Sequence, residues 1–397
     1  MVDAAASLGN ADAASGVLID VQVSQVTPAA LAAYGQLCAT SPHGPAQAPL
    51  WVQNWVTHMH PEGLIVSLKA DGRAAFALAL EVVRAGPFRI ARFMGGTHAN
   101  GNFAPALPAW SGVATRAEMA QMVKAIRAAR PDIDALLLQR LAVDLDGHKN
   151  PLLALPHVPS PNIALAVDLR SGFDAVLEHT SAKRKRKKHR AQMRKFEAAG
   201  GYRRIVAATP EEIRRLFDAF LEMKEQRFRK AGVANVFAEA EIQAFFQALF
   251  ADALRHGTRR FTLEGLEVAG KLRAVTGTSH CGKRLICEFG AIRDNELAPA
   301  SPGEFLFYEN IEKACEQGFE VYDFSVGDEP YKRLWCDVET RQADVLVPLT
   351  AKGHGFALAM RVSVRLKTHI KNSPVMWRLA KALRRRAASR SAASSDD

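Results

Sequence analysis

The residues with the clearest chemical meaning lie at 291–305, where a strand ending at Ala291 and Ile292 leads through a polar loop into a helix. Ser301 stands at the N-cap, Pro302 at the first helical position and Gly303 at the second. Such a start leaves the first-turn N–H groups of Gly303, Glu304 and Phe305 uncrowded, and with the helix dipole they suit a phosphate group. The same residues also make a good helix start in their own right, so the pattern alone leaves both readings open. Two carboxylates flank the junction. Glu288 lies on a strand whose alternation sends Cys287 and Phe289 to the opposite face, and Asp323 sits between Tyr322 and Phe324 in a short apolar strand. A carboxylate placed so serves as a base or as a structural acceptor. His280, at a strand end, reads as a turn residue before it reads as a catalyst. Asn100-Gly101-Asn102 offers amides suited to sugar or peptide hydroxyls, and equally makes a turn. Asn100 and Asn102, with Lys224 and Arg227, are assigned to an acceptor cleft between two domains. No Ser-His-Asp order, metal-ligand spacing or Walker loop competes. The five cysteines are scattered, which reads as reduced core thiols.

Two similar runs of elements must position these residues. Gly63–Ala70, 74–83 and Phe88–Phe93 read as a three-strand meander, followed by a polar loop, GGTHANGNFAP, a helix capped by Thr115 with Glu118 at the capping-box position, and a strand at 134–141. The order recurs as Phe261–Val268, 272–281, Arg284–Ile292, a loop ending in Ser-Pro-Gly-Glu, a helix stopped by Gly318, and a strand at 320–325. This points to an internal duplication in an α+β chain, each half a mixed, mainly antiparallel sheet flanked by helices. Helices at 182–199 and from Thr209-Pro210 to about 231 link the halves. The expected units are a disordered tail at 1–15, a first domain at 16–170, a basic helical linker at 171–205, a second domain at 206–350, a basic amphipathic segment at 351–386 and a disordered tail at 387–397.

With 397 residues, 48% hydrophobic and 23% charged, the chain has the composition of a globular protein of about two domains. No apolar run reaches the roughly 18 to 20 residues of a membrane span, and the N-terminus lacks the order of a signal peptide, so the expected location is the cytoplasm. The net charge of +11 is local: residues 183–204 hold eleven Lys/Arg and one acid, 361–390 hold ten and none, and the remainder is net −9. That argues against one large nucleic-acid-binding face. Seven of the eight residues at 183–190 are Lys or Arg, which on a helix paints every face and predicts a solvated helix or one that meets phosphates or lipid head groups. The segment 361–386 interleaves apolar residues, Trp377 among them, with cations. It suits a helix on an anionic membrane surface, at the inner face of the membrane, or one docked on the chain's own acidic core.

A meander, a phosphate-ready helix and then a strand is the arrangement of GNAT acyltransferases, in which two strands splay apart around the pantetheine arm of acyl-CoA. More specifically, SPGEFLFYENIEKACEQGFEVYDFSVGDEPYKRLW resembles the C-terminal core of the BioF-like or CelD-type acetyltransferases, named after cellulose biosynthesis proteins, through Ser301-Pro302-Gly303, Tyr322-Asp323-Phe324, Gly327-Asp328-Glu329-Pro330-Tyr331-Lys332 and Trp335. The resemblance spans roughly residues 20–370. It implies two tandem GNAT-like domains in the FemABX manner, with acetyl-CoA or another acyl-CoA held by the second at Ala291, Ile292 and 301–305, and no metal. The usual Q/R-x-x-G-x-G/A phosphate loop is absent, so the 301–305 turn would replace it. The resemblance further implies Glu288 as base, Asp323 as base or structural acceptor, Tyr331 as the acid that protonates the leaving thiolate, and a saccharide or amine acceptor in the cell envelope or exopolysaccharide. Two other classes stay open: an aminoacyl-tRNA-dependent transferase, with helix 183–190 on RNA, and a degenerate scaffold of a membrane-bound polysaccharide synthase.

Overall fold

The computed structural model describes residues 18–112 and 114–372. The tails expected at 1–15 and 387–397, and the 373–386 part of the segment assigned to a membrane surface, lie outside the described residues. Both meanders form as the alternating patterns require. In the first half Gly63–Ala70, Arg73–Ala85 and Phe88–Phe93 pair antiparallel. The Arg116–Ala129 helix follows, opened by a reciprocal capping box between Thr115 and Glu118. Its return strand, Ala135–Leu141, pairs parallel with Phe88–Phe93 only at Ile90 with Ala135 and Ala91 with Leu136. The second half repeats this with Phe261–Val268, Lys271–Cys281 and Arg284–Ile292, the Pro302–Glu316 helix, and a return strand Val321–Val326. Its parallel pairing covers Arg284 to Ile286 against Val321 to Asp323.

The halves do not stay apart. Val338–Pro348, expected within the second domain, lies between Ala135–Leu141 and His157–Asp168, and His157–Asp168 pairs on its other edge with Val321–Val326. The result is one sheet of twelve strands. Local periodicity marks a strand but not its partner, which here is some 200 residues away. The 171–205 stretch is likewise more than a connector. Its helices Gly172–Glu178 and Ala182–Ala198 pack on the Pro302–Glu316 helix, and Tyr202–Val206 adds an edge strand beside Phe261–Val268.

An aromatic core joins the halves. Trp51 and Trp55, on the Pro49–Met59 helix, each meet Phe245 of the Ala240–Arg255 helix edge-on at 4.9 Å, and Phe220 lies 4.3 Å from Phe289. Burial of these large rings packs the Pro49–Met59 helix of the first half against the Ala240–Arg255 helix of the second. The Ala351–Asn372 helix starts docked on the first half, with Phe356 beside Phe88 at 5.3 Å. None of the described helices is long and apolar enough to cross a membrane.

The basic helix overturns the expectation that it is solvated on every side. Gln192 and Phe196 are buried, His189 stacks between Phe305 and Tyr308 with centroids at 4.6 and 3.9 Å, and the Lys185 ammonium lies 3.8 Å over the Trp335 ring. These four residues recur at helical spacing, so the long stems and one imidazole make a docking face despite the charges. Among the described residues the Lys185 ammonium has no hydrogen-bond partner, and burial lowers it to about 8.

Candidate functional site

The two parallel strands of the second half part company where the ladder is disturbed. Opposite Gly277 and Thr278 the register passes from Phe289 to Cys287 and leaves Glu288 as an extra, bulged residue. Gly277 is required there, because a Cβ would stand 2.3 Å from the Phe289 ring. On the return strand the pairing shifts between Asp323 and Val326, with Ser325 at φ 60°. Between the Lys271–Cys281 and Arg284–Ile292 strands, the start of the Pro302–Glu316 helix and the turn that carries Tyr331 and Trp335 lies a cavity of about 260 Å³. The corresponding gap of the first half is filled by its own chain: Asn102 bridges to Leu141, Ala106 bridges to Phe76, and Phe103, Ala104 and Ala106 are fully buried.

Of the residues assigned to a donor, Ala291, Ile292, Ser301, Gly303 and Glu304 line this cavity, together with Arg227. Pro302 and Phe305 do not. Pro302 is buried, and the Phe305 ring packs on the opposite side of the helix against Phe196 and Tyr202. The expected Ser301 side-chain cap is also absent, since Ser301 is left-handed at φ 55°. That backbone turn points its carbonyl into the helix, where it accepts from Glu304 N and Phe305 N at 3.1 Å each, and Gln192 Nε2 holds the same carbonyl at 3.1 Å. Of the three N–H groups expected to be free, Gly303 alone keeps its donor. The rim of the cavity offers one N–H, the exposed Arg227 and the Glu304 carboxylate, which is paired with Lys188.

Glu288 stands at the opening of the two strands. Its Oε1 accepts from Ser279 Oγ at 2.5 Å, and the Asn100 amide of the first half also bonds to it. Burial pushes the carboxyl up to about 7, the Asp323 charge adds to this, and the Ser279 and Asn100 bonds oppose it. Asn100 is itself held by Arg140, whose Nη1 donates to Asn100 Oδ1 at 2.9 Å. Asp323 Oδ2 pairs with Arg284 Nη1 at 2.9 Å and Oδ1 accepts the Ser325 N–H at 2.7 Å, at the bend of the return strand. Asn102 is not an acceptor-cleft residue. It is buried, its Oδ1 accepting from Gln47 at 2.6 Å and its amide donating to the Gln139 carbonyl at 2.8 Å.

Tyr331 faces the cavity, its ring parallel to Phe307 at 5.7 Å. Burial raises the phenol, which keeps its proton at neutral pH. The turn that carries it is held by buried Lys332, whose ammonium bonds to the Val326 carbonyl at 2.9 Å and to Glu329 at 2.9 Å. Lys224 lies beside Arg227 and is lowered to about 8 by burial and then by that guanidinium. Sequence reasoning missed Ser279 and Arg140, which no local signal marks. Among the described residues no group of three or more His, Cys, Asp or Glu is arranged to hold a metal ion.

Residues 183–333 match the family described as an acetyltransferase (GNAT) domain, a span that takes in the basic helix, Glu288, Gly303 and Tyr331. No curated protein matches the chain. Among solved structures the chain is similar to one described as FemX, with a TM-score of 0.56 and 12% identity over 82% of this chain and 97% of that one. A conserved protein of unknown function from Bacteroides thetaiotaomicron gives 0.50 and 13% over 82% and 99%. The C-terminal domain of a putative lysylphosphatidylglycerol synthetase from Agrobacterium fabrum gives 0.50 and 12% over 83% and 94%. The fold is thus α+β of the GNAT type, and the matched domain supports an acyltransferase.

Proposed function

We propose that this chain moves an acyl group from a thioester of the acyl-CoA kind to an amine or hydroxyl of a saccharide or envelope precursor. The observation that carries this reading is the cavity with Gly303 and Tyr331 on its wall, lined also by Gly290 of the strand that bulges at Glu288, the carboxyl to which Asn100 reaches over from the first half. The thioester lies in the gap with its carbonyl toward Glu288. As the acceptor attacks, Glu288 takes its proton, the carbon–sulfur bond breaks, and the Tyr331 hydroxyl protonates the departing thiolate. Solvent returns the Glu288 proton to Tyr331, so the acceptor's proton ends on the thiol. The choice of a saccharide, and of the CelD-type subfamily, is supported by the motif resemblance at 301–335 and by the amide of Asn100 beside the base.

Calorimetric titration with acetyl-CoA and longer acyl-CoA tests the donor class, and release of free thiol on addition of amino sugars tests the transfer. Tyr331→Phe is expected to keep donor affinity and lower turnover roughly fivefold, below the usual 10²–10⁴ of proton-transfer catalysis because a thiolate leaves readily. Unchanged turnover would remove Tyr331 from the mechanism.

A further inference from the structure

We propose that the acceptor carries a phosphate monoester, which Lys224 and Arg227 hold beside the reacting groups. This rests on the acyl-transfer reading and names the class of its acceptor. The two residues lie one turn apart on the Pro210–Ala231 helix, so their side chains share a face. Lys224 faces the base. Its ammonium is 5.6 Å from the Phe220 ring, which packs 4.3 Å from Phe289, and its electrostatic neighbours are Arg227, Cys287 and Glu329. Cys287 and Phe289 flank Glu288 on their strand. Arg227 faces the acid, lining the cavity together with Tyr331 and acting on that phenol through its charge. An acceptor whose amine or hydroxyl meets Glu288 therefore has both cations beside it.

Among the described residues nothing neutralises this pair, since neither side chain forms a hydrogen bond or an ion pair. The cations nearby are matched: Arg293 with Glu222 and Lys230 with Asp294 at 2.7 Å each, and Lys332 at 2.9 Å with Glu329, the carboxylate whose charge reaches Lys224. Cys287 stays a neutral thiol, because burial raises it to about 12. Two like charges side by side, one of them half-buried, repel each other and are poorly hydrated, and a bound anion removes that cost. Charge selects the anion. A phosphate monoester carries about −1.5 to −2 at pH 7 and matches two cations, whereas a carboxylate matches one. A guanidinium also takes phosphate oxygens in pairs, with the ammonium as a point charge beside it. The donor's phosphates are the poorer source: with the thioester carbonyl at Glu288, they lie a whole pantetheine arm away from Lys224. In the transfer the acceptor nitrogen or oxygen attacks the thioester carbon, its proton passes to Glu288, the carbon–sulfur bond breaks, and the phosphate leaves unchanged on the product.

The test titrates the full chain with its donor site filled by CoA, so that the donor's own phosphate contacts are already taken. The probes are inorganic phosphate, glucosamine 1-phosphate, glucosamine 6-phosphate, glucosamine and acetate, read by calorimetry. Inorganic phosphate and at least one sugar phosphate are expected to bind tenfold or more tighter than glucosamine and acetate. Lys224→Met keeps an unbranched stem and removes the charge. It is expected to weaken phosphate binding tenfold or more without loss of CoA affinity or of thermal midpoint, with Lys224→Gln as the second variant should the first not fold, and Arg227→Gln is expected to weaken phosphate binding as well. No phosphate binding to the CoA-loaded chain, or binding indifferent to the charge at 224 or at 227, would overturn the proposal. Phosphate that binds only the empty chain and is displaced by CoA would assign both cations to the donor and overturn it too. Acetate bound as tightly as phosphate would overturn the choice of a phosphate. Each of these results leaves acyl transfer standing. If neither acetyl-CoA nor a longer acyl-CoA binds the unaltered chain, the acyl-transfer reading itself falls.

Discussion

Glu288→Gln is expected to lower turnover by about 10²- to 10⁴-fold, the usual contribution of a positioned base, with little change in donor affinity. The amide has the shape of the carboxyl and its oxygen still accepts from Ser279 Oγ, so the bulge and the first-half contact through Asn100 are retained. What is lost is the proton acceptor. The pH profile separates this from a structural effect. A base held at about 7 must be ionised to act, so the rate of the unaltered protein should fall tenfold per pH unit below that value, and the residual rate of the variant should not follow this slope. Stability runs the other way. The folded-state value lies above the ordinary 4.5, so the contribution of Glu288 is fully present below 4.5 and is lost as pH rises through about 7. Thermal midpoints across that window should therefore decline in the unaltered protein more than in the variant. A variant with full turnover and the same pH profile would rule out Glu288 as the base.

Gly303→Val is expected to weaken donor binding tenfold or more, about 1.4 kcal/mol or larger. Gly303 has ordinary helical geometry, so no backbone strain is introduced, and valine is a better helix former than glycine. Space is the difficulty. A Cβ at 303 would stand 2.6 Å from Ile292 Cγ2, and both residues are cavity wall, so the two must move into the gap or apart across it. Either movement takes volume from a cavity of about 260 Å³. Because the arm of any acyl donor must share that volume, the loss should appear with short and long acyl-CoA alike. Unchanged donor affinity in a folded Gly303→Val protein would place the donor elsewhere and remove the main support for the proposed function.

The sequence by itself determined what is set within a few residues. The meander strands follow from alternation, the Arg116–Ala129 and Pro210–Ala231 helices from their Thr115 and Thr209 caps, and the recurrence of strand, strand, strand, helix, strand from the order of those signals. It also named Glu288 and Gly303 as candidates, since residue type and position along a strand or helix are local properties, while Tyr331 came from the resemblance of the 327–332 motif. Tertiary structure decided the rest. The Val338–Pro348 strand finds its partners in the first half, because pairing of a distant strand depends on which edge is left open. A left-handed Ser301 turns a carbonyl onto two of three donors that the motif promised. Seven cations in eight residues divide into a buried face and an outward stripe only once the Pro302–Glu316 helix is there to dock against. Asn100 and Glu288 are 188 residues apart in sequence and meet only where the halves pack. The raised value of that carboxyl has the same origin, since desolvation is a property of the surroundings that packing assembles and no stretch of chain carries alone.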